Sequence, residues 1–417
     1  TLLWSAVAIA TTCVFAWIGW SRTDHGAGDW VVFEVGARVL VHYHHQTIYG
    51  GNRWHLYVDN VDLQIGPPAC WLVAAFEWLP FRRLYDVFGV LFPVLSLLTI
   101  GGASLAGSWA RSRAMNGALR ANAAGLAAVV TAGIWGLHAE ASKHLDDVLA
   151  LGLAVAAACL ISKQRAWWLV AVLLGTSAAT KPWAIILTPM LLGLPRRDIA
   201  RAALVMLAVA AVWWAPFVIS APQTIQALGH FQVVPKPGSV LYLLGLHRGV
   251  QRWLRPTQFF VGVVIGCWTV RRSGWIAAPL AAIATRVATD PFAFGYYGLG
   301  PLIFAYLYDR AGNGYRGFPA FTAVTALAEF GPAFVTSNSA VIASSKLGWA
   351  VLVLATTLGR TRSKASGPPT PDGPPDCKVT AHPVATSSWV TGRRRASPGS
   401  ARPRCSGYRA LRLGCPP

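Results

Sequence analysis

In this 417-residue chain, charged side chains are scarce and fall in a few places. "HAEASKHLDDVLAL" (138–151) sets Lys143, His144, Asp146 and Asp147 within five positions at the start of an apolar run. An Asp at a helix N-terminus satisfies free N–H groups and suits the macrodipole. Two adjacent acids with a His and a Lys exceed what capping needs, and together they can move protons and hold polar or charged groups. "ATKPWA" (179–184) places Lys181 at a break between two apolar stretches, where it needs a partner, and a lipid phosphate is one candidate. "ATDPFAFGYYG" (288–298) puts Asp290 before Pro291 and close to Tyr296 and Tyr297. Turn chemistry explains an Asp-Pro pair, and interfacial anchoring explains paired tyrosines. "GDWVVFEVGARVL" (28–40) opens with Asp29, followed by Glu34, Arg38 and His42 at helical spacing. Val31, Val32, Val35 and Val39 give that helix an apolar face, which predicts a helix lying on the outer membrane surface.

The elements that must position these residues are apolar helices. The chain is 54% hydrophobic and 12% charged, about half the charge of a soluble domain. Apolar runs recur along nearly its whole length, which predicts an all-α polytopic membrane protein of about 12 transmembrane helices. The expected spans are 2–20, 84–108, 118–137, 147–162, 166–180, 183–194, 202–219, 258–271, 274–288, 294–308, 318–335 and 341–358. The chain begins with Thr1 rather than Met, which leaves open whether residues precede it. Residues 2–20 read as a retained span, since they end in Trp and lack a small-residue cleavage site. "IGPPACWLVAAFEWLP" (65–80) is apolar enough to enter a bilayer, but as a full span it would invert everything downstream. It is therefore expected to be re-entrant or interfacial.

The net charge of +20 lies mainly in short clusters: Arg111/Arg113/Arg120, Lys163/Arg165, Arg196/Arg197/Arg201, Arg271/Arg272, Arg310/Arg316 and Arg360/Arg362. The positive-inside rule puts all six on the cytoplasmic side if both ends of the chain are cytoplasmic. This pattern points to membrane topology, not to nucleic-acid binding. Residues 21–83, 138–146, 180–183, 220–257 and 289–293 then face outward, and they carry nearly every polar residue the rule does not explain. A domain over 1–360 is followed at 361–417 by a Pro/Gly/Ser-rich basic tail, expected to be disordered and cytoplasmic. The seven Cys form no C-x-x-C pair, and the histidines of "HYHHQTIYG" (42–50) match no metal-ligand spacing, so no metal and no cofactor is expected.

Taken in order, the motifs resemble those of glycosyltransferase family 87, in the GT-C class of membrane glycosyltransferases. Its members are polyprenol-phosphate-mannose-dependent α-mannosyltransferases, also catalogued as domain of unknown function 2029. "DWVVFEVGARVL…TIYG" looks like the family's acidic residue, amphipathic helix and terminal Tyr. "IGPPACWLVAAFEWLPFRRLYDVFGVLF" looks like its Tyr-Pro-Pro segment, with Gly66 in place of the usual Tyr. "LLGTSAATKPWAIIL" looks like its Gly-then-Lys-Pro stretch, and "RVATDPFAFGYY" like a later block. The resemblance covers about residues 2–358.

It implies a GT-C-like fold with outer-surface amphipathic helices, and a catalytic Asp in the first outer loop. Asp29 matches that position, with Asp24 the nearby alternative. The implied reaction moves a sugar, usually mannose, from a polyprenyl-phosphate donor to the hydroxyl of a glycan or glycolipid acceptor. It would run outside the cell membrane, in contact with membrane lipids and without nucleic acid. A carboxylate can take the acceptor's proton. Lys181, with His144 or His230, can offset the leaving phosphate. Asp146, Asp147, Asp290 and Tyr297 are candidates for binding the sugar or the acceptor. One base with a good leaving group suits inversion by single displacement. The rival readings are a transporter or flippase of a lipid-linked sugar, and a non-catalytic membrane scaffold. A transporter predicts paired repeats and midplane sites, whereas the sequence shows no half-to-half repeat.

Overall fold

A computed structural model describes residues 2–22, 30–42, 53–59, 65–110, 118–230, 234–248, 253–291, 295–313 and 318–359. The expected tail at 361–417 lies outside the described residues. The described residues form helices and no strands. In order these are α1 (Leu2–Arg22), α2 (Trp30–His42), α3 (Leu56–Asp59), α4 (Pro67–Ala74), α5 (Phe81–Ala110), α6 (Ala118–Ser142), α7 (Leu145–Ser162) and α8 (Trp167–Thr180). A 3₁₀ segment, Pro182–Gly193, leads into α9 (Arg196–Ser220), α10 (Gln223–His230), α11 (Val240–Leu243), α12 (Leu254–Ser273) and α13 (Ala277–Thr289). Then come α14 (Leu299–Tyr308), α15 (Ala320–Glu329), α16 (Gly331–Val335) and α17 (Ser339–Gly359).

Six of these, α1, α5, α6, α7, α9 and α17, are long and apolar enough to cross a membrane. That is the architecture of a polytopic helical membrane protein. Leu204, Val212 and Ile219 of α9 are exposed, an apolar surface that suits lipid. Other expected spans fall on shorter elements. The 14 residues of α8 rise about 21 Å, short of a hydrocarbon core of about 30 Å. The 12-residue segment from Pro182 is wound as a 3₁₀ helix, whose longer rise per residue carries it about 24 Å. The expected run 318–335 is broken between α15 and α16 at Gly331–Pro332, where proline supplies no N–H and its ring disfavours a continuous helix.

Residues 65–80 fold as the eight-residue helix α4 and a turn, about 12 Å long and too short to cross. Helix α2 packs Trp30, Phe33, Ala37, Val39 and Leu40 into the protein, all buried, while Val31 of the expected apolar face is exposed. The aromatic residues contribute most of the buried area. The expected Glu34–Arg38 pair is present, and Arg38 also reaches Glu77 beside α4, with Nε–Oε1 at 3.4 Å. Burial raises both carboxyl groups above their usual range, against the pull of Arg38.

Close approaches set the frame. A Cβ on Gly19 of α1 or Gly136 of α6 would stand 2.7 Å from a carbonyl oxygen of the facing helix, the small-residue packing that brings membrane helices together. The bundle has two chemically different ends. At one, Gln164 donates to the Gly193 carbonyl (2.9 Å), Ser162 donates to the Ala106 carbonyl (3.0 Å), and the Lys163 ammonium lies 4.0 Å from the Trp109 ring. The chain direction puts Arg165, Arg196, Arg271 and Arg310 at that end too. The starts of α7, α12 and α14 and the ends of α6, α8, α13 and α15 form the other.

At that second end, the Gly66 N–H donates to the Thr180 carbonyl at 3.0 Å, one residue before Lys181. A Cβ on Gly66 would lie 1.8 Å from the Ala179 oxygen. Glycine at position 66 is thus what lets the segment before α4 seal the end of α8. Gly66→Ala should destabilise the fold by roughly 1–3 kcal/mol, the cost of overpacking. Thermal unfolding of the purified protein reads this, and an unchanged midpoint would contradict the close approach.

Candidate functional site

The α6–α7 turn builds the first part of the site. Lys143 takes a left-handed backbone, with φ +55°, which breaks the helix and turns the chain. Its ammonium is held by Glu140 and lies 4.4 Å from the Tyr85 ring, so it points away from the acids that follow. The His144 ring then stacks on Tyr296, with centroids 3.6 Å apart. Asp146 and Asp147 form the first turn of α7 and are both buried. Asp146 Oδ1 accepts the Asp147 N–H at 2.9 Å, which is the helix-start role expected of an acid here.

Asp146 Oδ2 and Asp147 Oδ2 face Lys181. Lys181 leaves α8 with extended backbone (φ −143°, ψ 111°), because Pro182 cannot continue the helix. Its ammonium pairs with Asp146 Oδ2 and lies 3.2 Å from Asp147 Oδ2. The Trp183 indole N–H donates to Asp147 Oδ1 at 2.9 Å. His144 Nδ1 is 3.6 Å from Asp146 Oδ1 and 3.9 Å from Asp147 Oδ2. Burial would lower the Lys181 pKa, but the attraction of Asp146 and then Asp147 outweighs it, and the group is held well above the usual lysine range. Two carboxylates facing one ammonium leave the cluster with one net negative charge whenever His144 is uncharged.

A second group adjoins the first through aromatic rings. The Arg286 guanidinium lies 4.1 Å from the Trp183 ring and 4.6 Å from the Tyr297 ring, a cation–π clamp. Arg286 Nε is 3.3 Å and Arg255 Nη1 is 3.4 Å from Asp290 Oδ2. Arg255 also donates to Gln258 Oε1 at 3.0 Å. The loop 234–239 joins here, with the Lys236 N–H donating to the Pro291 carbonyl at 2.8 Å. One path therefore runs Asp146–Lys181–Asp147–Trp183–Arg286–Asp290.

The structure thus brings together His144, Asp146, Asp147, Lys181, Asp290 and Tyr297 from three separate stretches of sequence. Asp29 and Asp24 lie outside the described residues, as does the side chain of His230. Sequence reasoning missed Arg286, Trp183 and Arg255. Arg286 carried a signal, since a cation four residues before Asp290 inside an apolar helix is costly unless paired.

Chemically, buried carboxylates can accept hydroxyl protons or hydrogen bonds, and the surrounding cations can offset an anion. His144, Asp146 and Asp147 offer three ligand atoms within 4.8 Å of one another. The Lys181 ammonium already bridges the two carboxylates, so a metal ion there would have to displace it. The chain matches no known family model and no curated protein.

Breaking a buried charge pair leaves an uncompensated ion. Lys181→Met should therefore cost about 3–5 kcal/mol of stability, and adding Asp146→Asn should restore part of it. Because the folded-state pKa of Lys181 is raised, its contribution is complete below the unfolded value of about 10.4 and fades only as pH climbs through the folded one. The Lys181→Met variant should thus remain less stable than wild type up to pH 9 in denaturant titrations. Equal stability of the two proteins at pH 7 to 9 would contradict the pairing.

Proposed function

We propose that the chain is an integral-membrane glycosyltransferase that moves a sugar from a polyprenyl-phosphate donor to a glycan or glycolipid acceptor. Mannose is the sugar implied by the resemblance. The observation that carries this reading is the gathering of two carboxylates, a lysine, a histidine, an arginine clamp and a tyrosine pair at one end of an apolar helical bundle. This is the end opposite Lys163, Arg165, Arg196, Arg271 and Arg310. A topology of about twelve crossings, with those basic residues in the cytoplasm, turns the site outward at the cell membrane. A lipid-linked phosphosugar presents its anomeric carbon at such a surface.

In this reading Asp29, with Asp24 as the alternative, is the general base that takes the acceptor's proton as its hydroxyl attacks the anomeric carbon. The bond to the phosphate oxygen breaks on the opposite side, the phosphate leaves as an anion, and configuration inverts. Lys181, His144 and His230 serve the donor phosphate. Lys181 is shared with Asp146 and Asp147, so partly exposed Arg255 adds positive charge on the Asp290 side. Asp146, Asp147, Asp290 and Tyr297 bind the sugar or the acceptor. Fixed partners hold these groups in place before substrate arrives, which favours the displacement through orientation.

The test is purified protein in lipid nanodiscs with radiolabelled polyprenyl-phosphate mannose and a mannoside acceptor. Transfer of label is the expected result, and Asp29→Asn should lower kcat/KM by roughly 10²–10⁴-fold while the protein stays folded. Movement of the donor across a membrane without product would identify a transporter instead. Neither activity would leave a scaffold.

A further inference from the structure

Beside Tyr297 and Arg286 lies a recess with room for about one water-sized group. Arg286, Asp290, Tyr297, Ser239, Glu329 and Lys346 line it. Glu329 ends α15 and Lys346 belongs to α17, so two further elements meet the site here. Their side chains are 1% and 7% exposed, yet Lys346 Nζ and Glu329 Oε2 stand 4.0 Å apart. That is a Coulombic pair with no hydrogen bond. Glu329 Oε1 makes no hydrogen bond, and neither does the Nε of Arg286, whose side chain is 6% exposed.

Glu329 thus brings to the lining a buried carboxylate oxygen without a hydrogen bond, beside Arg286, whose Nε is ion-paired with Asp290 Oδ2 at 3.3 Å. Leaving such atoms unsatisfied is costly, and a gap of this width between charged partners is one that a hydroxyl or a water bridges. The lining carries two cations, Arg286 and Lys346, and two anions, Asp290 and Glu329. The balance suits a neutral polar group better than a phosphate. The size admits one hydroxyl and no ring.

We propose that this recess is a sugar-hydroxyl subsite in which Glu329 accepts the hydroxyl's hydrogen bond and Lys346 or Arg286 donates to its oxygen. The assignment rests on the sugar-transfer reading above. It makes Glu329 and Lys346 specificity residues that discriminate a sugar-bearing ligand from the same lipid without its sugar. The hydroxyl can belong to the donor's sugar or the acceptor's.

Binding to the full-length protein in nanodiscs separates these cases. The ligands are polyprenyl-phosphate mannose, sugar-free polyprenyl phosphate and octyl α-mannoside, measured with wild type, Glu329→Gln and Lys346→Met. The subsite predicts that either variant weakens a mannose-bearing ligand about tenfold or more and leaves sugar-free polyprenyl phosphate unchanged. Loss on the mannosyl phosphate places the donor's sugar there, and loss on the mannoside places the acceptor's. Unchanged binding of both mannose-bearing ligands, or an equal loss on the sugar-free lipid, overturns the subsite. A wild type that binds no mannose-bearing ligand better than sugar-free polyprenyl phosphate overturns the transfer reading itself, and the subsite with it. Should Glu329→Gln fail to fold, Lys346→Met gives the same reading from the other partner.

Discussion

The arrangement depends on one ammonium between two carboxylates. Lys181, Asp146 and Asp147 sit where three helices end in an apolar bundle, and none of them could remain charged there alone. Taking an ion out of water costs several kcal/mol even after relaxation. The cost is met only because each partner supplies the others' missing solvation, with the Trp183 N–H and the Asp147 backbone N–H filling two further acceptor sites. This fixes α7 against α8 at one end, and with them the start of the 3₁₀ segment.

The neighbouring elements serve that constraint. A left-handed lysine turns the chain between α6 and α7 and buries its own charge against Glu140, which leaves the acids free for Lys181. Pro182 ends α8 where the lysine must leave the helix. Gly66 lets a second segment hydrogen-bond to the last carbonyl of α8. Trp183 and Tyr297 then clamp Arg286, so the charge pattern continues to Asp290 through aromatic rings. Such a set of mutually paired charges is fixed in place by its own partners.

Much of this was legible in the sequence, for identifiable reasons. Helical segments follow from apolar runs, and six of the expected spans fall on helices long and apolar enough to cross a membrane. The Asp pair and Lys181 stood out because ionisable groups in apolar surroundings are rare. Their pairing was not legible, since residues 146 and 181 meet only once α7 and α8 fold back on each other. Helix α2 shows a different limit. Its valines gave an apolar face, whereas the burial of Trp30 and Phe33 beside Val39 is visible only in the fold. The 3₁₀ winding after Pro182 and the break at Gly331–Pro332 changed length and continuity where periodicity alone reads an unbroken span. Glu329 and Lys346 lie 17 positions apart within apolar stretches, and only the fold shows that they share a recess with Arg286.

The central claim is that the acid–lysine end of the bundle, and not its basic end, meets the sugar-phosphate lipid. Photo-crosslinking tests it most directly: a polyprenyl phosphate carrying a photoreactive sugar is bound to the protein in nanodiscs, and the labelled peptides are mapped. The account predicts label in the segments around 144–147, 181–183 and 286–297, competed by unmodified polyprenyl-phosphate mannose. Competed label concentrated around 163–165, 193–201, 271–275 and 310 would contradict it.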